Sequence, residues 1–214
     1  MSNDLITTDS IAITGHRDYP DRASLYRGLD RLKARQYYFG GARGIDTDSI
    51  EYLSRTQPGS QRTVVVPNRV INQPKVAQVI IKRDATRIIE LGNSGPDRFM
   101  IRNRYMVDHS ERTVAFYDFR GRGGTFNTIN YAKGKDKLER VFSMQDYNIN
   151  EFRRMSKEEF GKWTKSMKQN KVDLSSIKMI LLEMIMNVFR MTVGMFADMI
   201  GYAGVKTLEE LWSR

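Results

Sequence analysis

The chain has no cysteine among its 214 residues. Disulfide bridges and thiolate metal sites are therefore excluded. It has two histidines, His16 and His109, so Ser–His or Cys–His nucleophilic machinery and a multi-histidine metal centre are not expected. Long apolar runs are missing too. The most apolar region, 177–200, is interrupted by Lys178, Glu183, Asn187, Arg190 and Asp198, whereas a spanning helix needs about 20 mostly apolar residues. The first ten residues carry Asp4 and Asp9 and no apolar stretch. Neither a secretory signal nor a membrane partner is expected, and the cytoplasm is the default setting. No metal and no cofactor is expected.

What is present is a basic chain of ordinary globular balance. Apolar residues make up 40%, with 16 glycines, and the formal net charge is +10. That surplus favours phosphorylated ligands or polyanions as partners. It is not confined to a tail, because residues 151–214 hold 11 basic and 8 acidic side chains.

Ile11-Ala12-Ile13-Thr14, ended by Gly15, reads as a buried strand. Further strands are expected at 37–39, 63–66, 87–91, 113–117 and 138–142. Helices are expected from Arg22 behind an Asp21 cap, with Leu25, Leu29 and Leu32 on one face, and over 46–54, 75–82, 99–109 and 125–133. Regular alternation of strand and helix predicts an α/β fold, a doubly wound and mostly parallel Rossmann-like sheet. Ligands in such sheets sit at the carboxyl ends of the strands. From about residue 149 the pattern changes. Eight of the 12 methionines lie there, and helices are expected over 156–169, 174–190, 192–200 and 207–213. Two regions follow: a nucleotide- or phosphate-binding domain over 1–148 and a helical subdomain over 149–214. The latter has a helix-turn-helix-like end or an oligomerisation role. Glu209 and Glu210 on its last helix do not suit a DNA-reading helix, so packing or a homo-oligomer interface is the better expectation.

Three clusters near expected strand ends or helix starts carry the chemistry: 40–46 (Gly40-Gly41-Ala42-Arg43-Gly44-Ile45-Asp46), 102–104 (Arg102-Asn103-Arg104) and 121–125 (Gly121-Arg122-Gly123-Gly124-Thr125). Glycines let backbone amides approach an anion, helix starts add partial positive charge, and arginines supply forked donors. Arg43 is expected on a phosphate with the amides of Gly41 and Gly44 beside it. Asp46 is expected to cap its helix or hold a ribose hydroxyl. Arg102 and Arg104 point to different helix faces, so Arg102 is expected at the pocket, Arg104 in a structural role, and Asn103 bridging a loop. Gly123, Gly124 and Thr125 open a helix, with Thr125 also a cap candidate. Gly15, His16 and Arg17 follow the first strand, where His16 could donate to phosphate. Asp118 is the candidate general base, with Glu90 behind it. Tyr19, Tyr105, Tyr117, Phe119 and Phe126 are candidates to stack on a base, against a competing core reading.

These segments together resemble the SLOG superfamily of Rossmann-like proteins, which includes the DprA/Smf, YspA-like and LOG phosphoribohydrolase groups. Ile13-Thr14-Gly15-His16-Arg17-Asp18 is similar to the YspA-type opening, residues 40–46 to both DprA and YspA, and Arg102-Asn103-Arg104-Tyr105-Met106-Val107 to their arginine-asparagine-arginine helix. Ala115-Phe116-Tyr117-Asp118, with Gly123-Gly124-Thr125 and 128–132, is similar to the YspA ending. The resemblance implies binding of a nucleotide, a nucleotide-derived ligand or a single-stranded nucleic-acid backbone. The alternatives are N-glycosidic hydrolysis of a nucleotide, as in LOG enzymes, and an assembly role for the C-terminal helices. LOG proteins follow their glycine run closely with a glutamate; here Phe126, Asn127 and Thr128 follow, and no acid comes before Asp136.

Overall fold

The structure, a computed structural model, describes residues 5–19, 22–118 and 122–143. Six parallel strands form one sheet in the order β4-β3-β2-β1-β5-β6. They are β1 (Ile6–Gly15), β2 (Leu32–Phe39), β3 (Gln61–Val66), β4 (Arg87–Glu90), β5 (Arg112–Tyr117) and β6 (Leu138–Ser143). The intervening helices are α1 (Arg22–Leu29), α2 (Ile45–Thr56), α3 (Lys75–Asp84), α4 (Arg98–Asp108) and α5 (Gly124–Gly134), with a 3₁₀ turn at Val70–Asn72. The expected doubly wound parallel α/β fold is the one observed. The subdomain expected over 149–214, the Asp21 cap, and Phe119, Arg120 and Gly121 lie outside the described residues. Among the described residues, no helix is long and apolar enough to cross a membrane, and no cluster of side chains could hold a metal ion.

Successive strand residues point to opposite faces, and both faces are covered. Ile11, Ile13, Tyr37, Phe39, Val64 and Val66 join the cluster that also contains Leu25, Leu29, Ile50, Leu53 and Ile81 from α1, α2 and α3. The alternate residues Ala12, Tyr38 and Val65 pack with Met106 of α4 on the other face. Burying each large apolar side chain stabilises the fold by about 1.5–3 kcal/mol. This is why the strands read as continuous apolar runs.

Three elements, α1, β1 and β2, depart from expectation. Leu32 does not continue α1. The helix ends at Leu29, where Asp30 N–H donates to Tyr26 O (2.9 Å) and Arg31 N–H to Gly28 O (3.2 Å), and Leu32 opens β2 opposite Ile6. β1 also starts at Ile6 rather than Ile11. Its first half pairs with β2 alone, since β5 begins only where Arg112 meets Ile11. Glu111 substitutes for the missing strand: its carboxylate accepts the Asp9 N–H (3.0 Å), and its own N–H donates to Ser10 Oγ (2.9 Å).

The chain order reverses between β1 and β5. β1 to β4 step outward on one side, and β5 and β6 lie on the other. A crevice at the carboxyl ends of β1 and β5 follows from that topology. α4 and α5 stand beside it. The carboxyl end of α4 is closed by Lys137, whose ammonium donates to Val107 O, Asp108 O and Ser110 O at 3.0, 2.8 and 2.7 Å, satisfying carbonyls that a helix end leaves unpaired.

Candidate functional site

Gly15 ends β1 opposite Phe116, and the two chains leave the sheet as His16 and Asp118. His16 Nε2 lies 2.8 Å from Asp118 Oδ1. The imidazole is buried and stacks on Tyr117 with centroids 5.2 Å apart. His16 O accepts the Ile45 N–H (3.1 Å). His16 thus ties the two sides of the crevice to the start of α2.

The β2–α2 turn closes on itself. Gly41 is buried, and Gly44 is the N-cap of α2 with φ of 85°, a conformation that favours glycine. Asp46 lies in the first turn and does not cap it. Its Oδ2 accepts the Ala42 N–H (3.0 Å) and lies 3.9 Å from Arg102 Nη1. Arg102 is turned inward rather than toward a pocket: it donates to Gly40 O, and its Nε is buried without a hydrogen-bond partner. Burial pushes the Asp46 carboxyl above its ordinary value, opposed by Arg102 and the Ala42 amide, and pushes Arg102 down, opposed by Asp46. Asp48, in the same turn, accepts from the Tyr19 hydroxyl and from Arg22 Nε (3.0 Å). Burial first, and Asp48 second, push the Tyr19 hydroxyl up. The start of α2 is therefore occupied by the protein's own carboxylates and by a carbonyl.

α5 starts differently. Its N-cap is Gly123, with φ of 97°, and not Thr125, which is buried in the first turn. No acidic residue stands in that turn and no side chain caps it, so its N–H groups and partial positive charge are directed at the crevice. Asn103 bridges from α4, donating to Thr128 Oγ1 (2.8 Å) and Gly124 O (3.4 Å).

Arg17, exposed at the end of β1, holds its guanidinium 5.6 Å from the Phe99 ring centroid, and Arg98 lies 4.6 Å from it on the same helix, α4. Phe99 is 39% exposed and sits one turn before Asn103. Phe99 is not among the expected site residues; its signal in the sequence is an aromatic beside an arginine at a helix start, and the second arginine comes from the turn after β1. Arg43 is exposed and meets Asp18 (Nη2–Oδ1 3.2 Å). Arg104 faces away from Arg102 and lies 5.3 Å from the Tyr131 ring. Among the other stacking candidates, Tyr117 is buried, and Tyr105 stacks on His109 at 3.8 Å. Glu90 ends the edge strand β4 and accepts the Val70 N–H (2.8 Å). Four strand spacings separate it from Asp118, about 19 Å, so the two carboxylates are not a catalytic pair.

The fold and crevice define a doubly wound α/β protein of Rossmann-like class. No protein-family model matches the chain. Over 42 residues, 20% of the chain, it is 50% identical to YoqJ, an SPbeta prophage-derived protein of Bacillus subtilis (strain 168); the matched stretch is about a quarter of that protein's length, 24%. Its fold is similar to that of DNA processing protein A from Helicobacter pylori, with a TM-score of 0.54 and 16% identity over 87% of this chain and 85% of that one.

Proposed function

We propose that this protein binds single-stranded nucleic acid, or a nucleotide-sized part of one, along the carboxyl rim of its sheet. The observation that carries the reading is the half-exposed Phe99 ring flanked by the Arg17 and Arg98 guanidiniums. Both guanidiniums lie over the ring, so a base that stacks there takes the place of one of them, and the displaced cation meets a neighbouring phosphate. The uncapped start of α5 supplies amides for a further phosphate. Arg17 and Arg43 add charge. Gly15, His16, Asp118, Asp46 and Arg102 shape the rim from behind. The fold likeness supports the reading, since the Helicobacter pylori protein was described for a single-stranded DNA binding mode. A cytoplasmic setting goes with it.

Titration of a labelled oligothymidylate by fluorescence anisotropy tests the proposal. Binding should weaken steeply with salt, by about 0.7 in the log–log slope per phosphate neutralised. Arg17→Ala should flatten that slope, whereas Phe99→Ala should weaken binding and leave the slope unchanged. Absence of binding at low salt, or Phe99→Ala binding as the unaltered protein does, contradicts it. A second reading, hydrolysis of a nucleotide N-glycosidic bond, is favoured by one observation, the His16–Asp118 pair in the crevice. It requires free base to appear on incubation with nucleoside monophosphates and to vanish with Asp118→Asn.

A further inference from the structure

Asp18 stands where a ligand phosphate would be expected. Its carboxylate is 3.2 Å from Arg43 Nη2, and both side chains are largely exposed, at 78% and 62%. The pairing follows from how the β1–α1 turn is fixed on each side of Asp18. Before it, Arg17 reaches the Phe99 ring. After it, Tyr19 hydrogen-bonds to Asp48, which also takes Arg22. The two turns are in close contact here, because a side chain at Gly44 would meet the backbone of Arg17. Asp18 is thus presented to Arg43 by a braced turn.

We propose that Asp18 is an internal competitor at the Arg43 phosphate subsite and sets the affinity of the rim for phosphodiesters. The inference rests on the reading of the rim as a nucleic-acid site. A carboxylate and a phosphodiester each carry one negative charge and present paired oxygens to a guanidinium. A strand that reaches Arg43 must displace Asp18 or accept its repulsion. An exposed ion pair is weak, so displacement is easy, but its effect on affinity is measurable. Asp18 lowers affinity for every phosphodiester alike and so favours ligands long enough to make several other contacts.

The test uses the full chain and a labelled oligothymidylate at low salt. Asp18→Asn should bind more tightly by roughly threefold to tenfold. The gain should shrink at high salt and disappear in an Arg43→Ala background. Asp9→Asn, which removes one exposed negative charge near the amino end of β1, should leave affinity unchanged. Equal melting temperatures show that the tighter-binding variant is folded and that the gain is not non-specific binding by an unfolded basic chain. The proposal is overturned if Asp18→Asn binds no better than the unaltered protein, if the gain persists without Arg43, or if Asp9→Asn gains as much. If the unaltered protein leaves the oligonucleotide unbound, the function proposed for the rim fails and this inference fails with it. Binding with no response to Asp18→Asn removes only the inference.

Discussion

α2 and α5 begin in the same way on paper and end in opposite states. Each follows a strand end, each has a positive-φ glycine as N-cap, and neither is capped by a side chain. At α2 the first turn holds Asp46 and Asp48, an inward Arg102 seals the loop, and His16 O takes the Ile45 amide. At α5 the first turn has no acid and its glycines are exposed. A glycine-rich helix start is an anion site only while nothing within the chain fills it. One of the two expected phosphate cradles is thus a structural joint, and the other faces the crevice.

Removing Arg102 should break the α2 joint and give the largest effect. Arg102→Met leaves Asp46 buried without its cation and should cost about 3–5 kcal/mol of stability at neutral pH, measured by urea unfolding. The pH dependence has a definite sign. Burial raises the folded pKa of Asp46 above 3.8, so the folded state holds the proton longer than the unfolded state does. Its contribution to stability is therefore largest at acid pH and declines as pH rises through the gap between the two pKa values. Without Arg102 the upward push loses its largest opposition and only weaker ones such as the Ala42 amide remain, so the decline from acid to neutral pH should steepen. An unchanged pH profile would show that Arg102 does not act on Asp46.

Phe99→Ala should come next, weakening oligonucleotide binding by about 1–3 kcal/mol while the melting temperature stays close to that of the unaltered protein. Making α5 resemble α2 sharpens the comparison further. Gly124→Asp places a carboxylate in the first turn, where a Cβ meets nothing closer than Asn103 at 3.7 Å. Stability should rise by about 0.3–1 kcal/mol through the helix dipole, and oligonucleotide affinity should fall. The smallest stability change should come from Arg43→Ala. Its exposed pair with Asp18 is worth about 1 kcal/mol or less, so thermal unfolding should barely move.

The order and type of the elements were legible because every strand buried on both faces leaves an apolar run, as in Val64-Val65-Val66. The first half of β1 was not legible. Thr7, Thr8, Asp9 and Ser10 lie at a level the sheet reaches only through β2, and no apolar pattern marks them. The clusters of the site were visible as residue types, but their roles depend on partners distant in sequence. Nothing near Arg102 announces Gly40 and Asp46, and nothing near Asp48 announces Tyr19 and Arg22. Phe99 was overlooked for the same reason, since Arg17 arrives from another strand end.

The most direct measurement is an amide NMR titration of the isotope-labelled protein with oligothymidylate. The account predicts that the resonances of Gly123, Gly124, Thr125 and Phe99 shift and that those of Ile45, Asp46, Thr47 and Asp48 stay in place. Shifts confined to the start of α2, with α5 silent, would contradict it.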